Sequence, residues 1–294
     1  MKRLISVSLD RTHRRNQMMK VRMFMVAVAF AWAIPIQTKG QPAEAPETVV
    51  VRSGALTLRG LLWRPSGRGP FPAVLFSHGS GPAAYPQKPA ALGPAFVRHG
   101  YVFLYLFRRG AGLSADQGTN SEELMSQALK EKGPEARDDL QLQLLETELG
   151  DVLGGFAFLR GRPEVDAHRI AAAGHSFGGS LTVLLVEREP SLRAAIVFGA
   201  AAGSWKSSLK LRSRLLAAVG HTNVPTFFIH AGNDFSIAPG KELAAEMARV
   251  GKPNRIKIYP PIGQTAIDGH DFYYLGLSMW EPDVFAFLDE RTRP

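Results

Sequence analysis

From about residue 48 onward, short apolar runs alternate with longer segments of helical period. Ala73-Val74-Leu75-Phe76, Tyr101-Val102-Phe103-Leu104-Tyr105-Leu106 and Ile170-Ala171-Ala172-Ala173 are unbroken apolar stretches. Their length and composition suit strands buried on both faces. Residues 194–198, 226–230 and 255–259 continue the series. Between them, Leu142, Leu145, Leu149, Val152, Leu153, Phe156 and Leu159 recur at steps of three and four, which predicts a helix with one buried face. Residues 90–99 read as a helix stopped by Gly100, and 120–132 as a polar helix broken by Gly133-Pro134. Two β-rich runs, 48–52 and 55–63, flank Ser53-Gly54 and predict a hairpin. Strands alternating with helices imply an α/β fold: a mostly parallel central sheet, helices on both faces and an antiparallel N-terminal hairpin.

Charge changes the picture only at the N-terminus. The 294-residue chain carries a formal net charge of +9, which by itself would suggest a nucleic-acid partner. Residues 1–40, however, hold eight of the 35 basic and one of the 26 acidic side chains, so the remainder carries only +2. The excess belongs to the leader, and a nucleic-acid partner is not expected. Within that leader, Met18-Met19-Lys20-Val21-Arg22 is a basic start, followed by an apolar run from Met23 to Ile36 and by small residues in Thr38-Lys39-Gly40. The run is short for a membrane span and suits a signal peptide over residues 1–40, with Met18 or Met19 as alternative starts. The expectations are export to a periplasmic or secreted location, a Pro/Ala/Glu linker at 41–47 and one domain over 48–294. No membrane span is expected after leader removal; an uncleaved anchor is the lesser alternative. The absence of cysteine excludes a cysteine nucleophile and cysteine-ligated metals. No oligomeric state can be read.

Candidate chemistry gathers where strands end, as ligand sites do in open α/β sheets. Gly174-His175-Ser176-Phe177-Gly178 follows the run at 170–173 and spells G-x-S-x-G. Chance alone supplies about 0.2 copies of that motif in a chain of this composition, so its setting has to decide. The setting is a buried strand before Ser176 and an apolar helix start after it. Flanking glycines let a strand fold straight back into a helix and lift the serine hydroxyl above the sheet. Asp234 lies just past the run at 226–230, and His270 follows the last strand, after which no other histidine occurs. Asp268 and Asp271 are close to His270 in sequence, but near neighbours in a chain rarely face each other across a site. The order Ser, Asp, His is that of one known arrangement of the serine triad. His78, His175 and His230 read as structural. Arg108 and Arg109 could bind an acidic substrate group, although pairing with carboxylates is the commoner use. The basic run at 204–220, with Lys206, Lys210, Arg212 and Arg214, is either a cap over the site or a solvated surface helix.

Taken together, His78-Gly79-Ser80-Gly81, Arg109-Gly110-Ala111-Gly112-Leu113-Ser114, the serine turn, Gly232-Asn233-Asp234 and Gly269-His270 resemble the dienelactone hydrolase-like and prolyl oligopeptidase-like esterases of the α/β-hydrolase superfamily. The resemblance implies the α/β-hydrolase fold, with Ser176 as nucleophile, Asp234 as acid and His270 as base. It also implies an oxyanion hole from the backbone N–H groups of Phe177 and Ser80. Dienelactone hydrolases proper use a cysteine nucleophile, so their particular substrate is not implied, and the long stretch 107–136 leaves substrate shape open. The resulting expectation is an exported serine hydrolase that cleaves carboxylic esters through a covalent acyl-enzyme, taking a small-molecule ester or peptide substrate and needing no metal or other cofactor. The rivals are a serine peptidase on short peptides and a non-catalytic binding protein of the same fold. A typical prolyl oligopeptidase-like peptidase brings a gating domain for which this length leaves little room, and the binding protein would commonly have lost a triad residue.

Overall fold

The computed structural model of the chain describes residues 45–83 and 86–293. The leader and most of the linker lie outside the described residues; the described end of the linker is irregular at 45–46 and already extended at Glu47. Among the described residues, no helix is long and apolar enough to cross a membrane.

Among the described residues, eight strands form one sheet: β1 (Glu47–Ser53), β2 (Leu56–Trp63), β3 (Phe71–Ser77), β4 (Val102–Phe107), β5 (Val165–His175), β6 (Ala195–Phe198), β7 (Thr226–Ala231) and β8 (Asn254–Tyr259). They stand in the order β1-β2-β4-β3-β5-β6-β7-β8. The expected hairpin is β1 against β2, with Ser53 opposite Leu56. Both β1–β2 and β2–β4 are antiparallel, and the remaining pairs are parallel. This is the sheet expected of an α/β-hydrolase.

The apolar runs become central strands because both of their faces are covered. Along β4, Val102, Leu104 and Leu106 join a core with α2 (Ser121–Arg160), α3 (Phe177–Arg188), α4 (Leu209–His221) and α5 (Ala238–Arg249). The intervening Phe103, Tyr105 and Phe107 join a second core with α1 (Gln87–Arg98), α7 (Phe272–Leu275) and α8 (Leu277–Thr292). Side chains alternate between faces along a strand, so a run that is apolar at every position feeds two cores. Each fully buried Leu or Phe contributes about 1.5–3 kcal/mol.

Helices depart from the sequence pattern in three places. The polar segment after Asn120 and the periodic segment after Pro134 run together in α2, with the expected break surviving as a kink at Gly133, φ +87°. The stretch around His270, for which no helix is expected, is helical: α6 (Ala266–His270) carries the histidine at its last position, and α7 follows after Asp271. The glycine-rich loop after β4 contains a 3₁₀ turn, Gly112–Gln117. The basic run 204–220 is resolved in favour of a surface helix: α4 buries Leu211, Leu215, Ala218 and Val219. Its Lys210, Arg212 and Arg214 pair with Asp139, Glu242, Glu146 and Glu187.

Candidate active site

Ser176 sits between β5 and α3 at φ +56°, ψ −117°, a backbone conformation that costs a non-glycine residue on the order of 1–3 kcal/mol. The surroundings leave it no alternative. A Cβ on Gly174 would collide with the carbonyl of Gly178, and one on Gly178 would collide with the carbonyls of Ser77 and His78. The Ser176 N–H is anchored by Phe198 O at 2.9 Å, and the Ser176 carbonyl accepts the Ser180 N–H at 3.0 Å as the first bond of α3. The hydroxyl therefore projects from the C-terminal edge of the sheet at the start of a helix, where unpaired N–H groups and the helix dipole favour negative charge.

His270 Nε2 lies 2.9 Å from Ser176 Oγ, and His270 Nδ1 lies 2.7 Å from Asp234 Oδ1. An ionised carboxylate only accepts hydrogen bonds, so the proton is on Nδ1 and the Nε2 lone pair faces the serine hydroxyl. Asp234 is 1% exposed in its side chain. Burial by itself would push its carboxyl up, but hydrogen bonds from His230 and His270 outweigh that and hold it below the ordinary aspartate value. The Phe235 N–H also donates to Oδ1 at 2.7 Å. Gly199, at the end of β6 with φ +55°, lies so close that a Cβ there would sit 3.1 Å from Asp234 Oδ2 and 3.2 Å from His270 Nδ1.

Asp234 lies on the loop after β7 and His270 ends α6, and Asn233 ties that loop to the segment leading into α6. Its amide donates to Ile262 O and Thr265 O, both at 2.8 Å, and its side-chain oxygen accepts the Ile262 N–H at 3.0 Å. His175 fixes the backbone of His270: its Nε2 donates to His270 O at 2.9 Å while its ring stacks on Tyr273. Burial, and then the neighbouring charge of His270, keeps the His175 imidazole well below the usual histidine range. The rival acids face elsewhere. Asp268 caps its own helix through Thr265, and Asp271 pairs with Lys88 at 2.9 Å.

On the other side of Ser176, the loop after β3 is held from below. Arg108, wholly buried, donates from Nε to Glu148 at 2.7 Å, from Nη1 to His78 O at 2.7 Å and from Nη2 to Gly79 O at 2.8 Å. The Arg108 N–H donates to His78 Nε2 at 3.2 Å, so the neutral His78 carries its proton on Nδ1 and gives it to Gly79 O at 2.7 Å. Burial, and then the charge of Arg108, lowers the His78 imidazole well below its usual range, in keeping with that neutral tautomer. Arg109 pairs with the buried Asp151 at 2.7 Å. Both arginines are thus occupied by carboxylates.

A cleft of about 410 Å³ opens over Ser176 and His270, within the range of small-molecule sites. Glu122, Met125, Arg137 and Gln141 of α2 form part of its wall, so the stretch 107–136 does contribute to it. No residue of α4 lines it, although Ser204, just upstream, does. Phe235, 51% exposed, stands over His270 with ring centroids 4.9 Å apart. Among the described residues there is no cluster of three or more His, Asp or Glu side chains that could hold a metal.

The family model for the dienelactone hydrolase family matches residues 58–265. The chain belongs to the dienelactone hydrolase family. No curated protein matches it significantly. Solved structures of similar fold include a dienelactone hydrolase from Anabaena variabilis, 18% identical with TM-score 0.60, covering 85% of this chain and 100% of that one. Est1E from Butyrivibrio proteoclasticus, solved with ferulic acid bound, is 16% identical with TM-score 0.62, covering 83% of this chain and 98% of Est1E. Acylaminoacyl peptidase from Pyrococcus horikoshii is 20% identical with TM-score 0.61, covering 86% of this chain. This chain covers only 42% of that peptidase. At these identities the likeness is one of fold. This member of the family carries serine at the turn.

Of the residues singled out in the sequence, Ser176, Asp234 and His270 come together in one hydrogen-bonded chain, and Phe177 and Ser80 line the same cleft. The sequence reading did not give His230, Asn233, His175 and Arg108 their places around that chain. For Asn233 the signal was weak but present: an amide beside a strand-end aspartate, with a matching loop after the next strand.

Proposed function

We propose that the protein is an exported serine hydrolase that cleaves carboxylic esters through an acyl-enzyme on Ser176. The observation that carries the reading is the unbroken path from Ser176 Oγ to His270 Nε2 at 2.9 Å and from His270 Nδ1 to Asp234 Oδ1 at 2.7 Å. Ser176 Oγ attacks the acyl carbon while His270 Nε2 takes its proton, and Asp234 holds the tautomer and stabilises the imidazolium. As the tetrahedral adduct collapses, His270 returns the proton to the departing alcohol oxygen. Water, deprotonated by the same nitrogen, then releases the acid.

The oxyanion that forms needs donors already aimed at it. Phe177 occupies the first position of α3, where an N–H has no acceptor within its own helix. For Ser80, the support comes from its neighbour: both donors on Gly79 O pull that carbonyl toward Arg108 and His78. In a trans peptide the N–H points opposite the C=O, so the Ser80 N–H is directed away from Arg108, which favours its use as a donor to the oxyanion. Among the described residues it is paired with no other acceptor.

Export is the part of the proposal that rests on the leader alone, namely the basic start and the apolar run from Met23 to Ile36. Hydrolysis of short-chain nitrophenyl esters by the purified protein, compared with peptidyl amides under the same conditions, tests the reaction. Ester turnover abolished by Ser176→Ala is the expected result. Undiminished turnover by that variant, or cleavage confined to amides, would overturn the ester reading.

A further inference from the structure

Asp234 has two carboxylate oxygens, and each takes a histidine. Oδ1 receives His270, and Oδ2 receives Nδ1 of His230 at 2.7 Å. His230 is the last but one residue of β7, four residues before Asp234, and both side chains are 1% exposed, so water has little access to replace the bond. The ring occupies a place cleared for it on α5. A Cβ at Gly240 would stand 2.6 Å from His230 Cδ2 and 2.7 Å from His230 Nε2. We infer that His230 is a positioning residue for the acid of the proposed triad, donating Nδ1–H to Asp234 Oδ2 and so holding Oδ1 turned toward His270.

The inference rests on the proposed triad and extends it to a fourth side chain. With His230 on Oδ2, and His270 and the Phe235 N–H on Oδ1, the carboxylate cannot swivel without breaking a charge-assisted bond. The bond also shares the negative charge of Asp234 between two imidazoles. The ionisable groups around His230 are Asp234 on the following loop, His270 at the end of α6 and His175 on β5. α5 meets the ring with the Gly240 backbone, and β8 places Ile258 in register beside it. Removing the donor leaves Asp234 with one fewer bond to its ionised form, so its carboxyl rises. The acid limb of the kcat/KM profile moves with it to higher pH.

The experiment compares His230→Leu, which removes the donor, with His230→Asn, whose Nδ2 stands about where the imidazole Nδ1 stood. Rates are followed on a nitrophenyl ester across pH, alongside wild type and Ser176→Ala. Expected for His230→Leu is a fall in kcat of about ten- to a hundredfold, the scale of one hydrogen bond to a charged group, with KM within about twofold and the acid limb moved up. His230→Asn should stay within about threefold of wild type and keep its profile. Wild-type kcat and profile in His230→Leu would overturn the inference, as would a loss in His230→Asn as large as that in His230→Leu. Should His230→Leu not fold, Gly240→Ala replaces it. Alanine there favours the helix but presses on the ring, so a kcat reduced severalfold is expected and an unchanged kcat overturns the inference. Failure of the triad reading itself shows separately, as a wild-type protein inactive on esters or a Ser176→Ala variant that remains active.

Discussion

Replacing Arg108 by lysine should cost turnover well beyond what it costs in folding. Removing the charge altogether would leave Glu148, 1% exposed, buried without a partner, a loss of about 3–5 kcal/mol. Against a typical total stability of about 5–15 kcal/mol, Arg108→Met risks unfolding. Arg108→Lys keeps the cation for Glu148, but a single ammonium cannot also reach the carbonyls of His78 and Gly79. Two hydrogen bonds are lost, about 1–1.5 kcal/mol each, and Gly79 O keeps only the His78 donor. The folded state should therefore survive with roughly 2–3 kcal/mol less stability. The Gly79–Ser80 peptide, proposed to offer the Ser80 N–H to the oxyanion, is then held at one point instead of two. Losing an oxyanion donor outright costs about 3–4 kcal/mol, so loosening one should cost part of that, roughly ten- to fiftyfold in kcat/KM. Urea unfolding measures the first quantity and initial rates on a nitrophenyl ester the second. A variant that loses stability as stated but turns over like wild type would refute the link between Arg108 and the proposed oxyanion site.

Further outcomes follow from the same geometry. Ser80→Ala removes only a hydroxyl that bonds Glu122 at the surface, and the proposed donor is the backbone N–H, so kcat/KM should stay within about threefold of wild type. Asp234→Asn should lower kcat by about 10⁴-fold, whereas Asp268→Asn, which keeps the Thr265 cap and removes only the negative charge from the first turn of α6, should cost about 0.3–1 kcal/mol of stability and leave the rate intact; the reverse pattern in ester assays would reassign the acid. Since the Asp234 carboxyl is held below its unfolded value, its contribution to stability is complete above about pH 3.9 and is lost as pH falls through the lower folded value. Asp234→Asn should therefore lessen the acid dependence of unfolding in that window, and an unchanged slope in urea titrations below pH 4 would contradict the assignment.

The architecture was legible because both faces of the sheet are covered. Strands such as β4, and β3 up to its last residue Ser77, must then be apolar at every position, and the helices between them keep a 3–4 period. Ser176 was legible because the glycines on either side are forced by backbone collisions that no other residue avoids. His230 was not, because its partner depends on where the chain turns after β7. A buried strand-end histidine looks the same in sequence whether it faces a carboxylate or an apolar wall. Arg108 and Arg109 look equivalent in sequence, yet one is wholly buried beneath the loop after β3 while the other pairs with Asp151 at the site's edge. That difference is set by the path of α2, which brings Glu148 and Asp151 to them from forty residues away. The helices around His270 escaped notice because they are too short to show a period.

The most direct measurement of the central claim is the site of covalent capture. Treating the protein with a fluorophosphonate should add one phosphonyl group per chain, abolish ester turnover in step with labelling, and place the adduct on the peptide containing Ser176. Ser176→Ala should stay unlabelled. Labelling at another serine, or full ester turnover by a chain quantitatively modified at Ser176, would contradict the account.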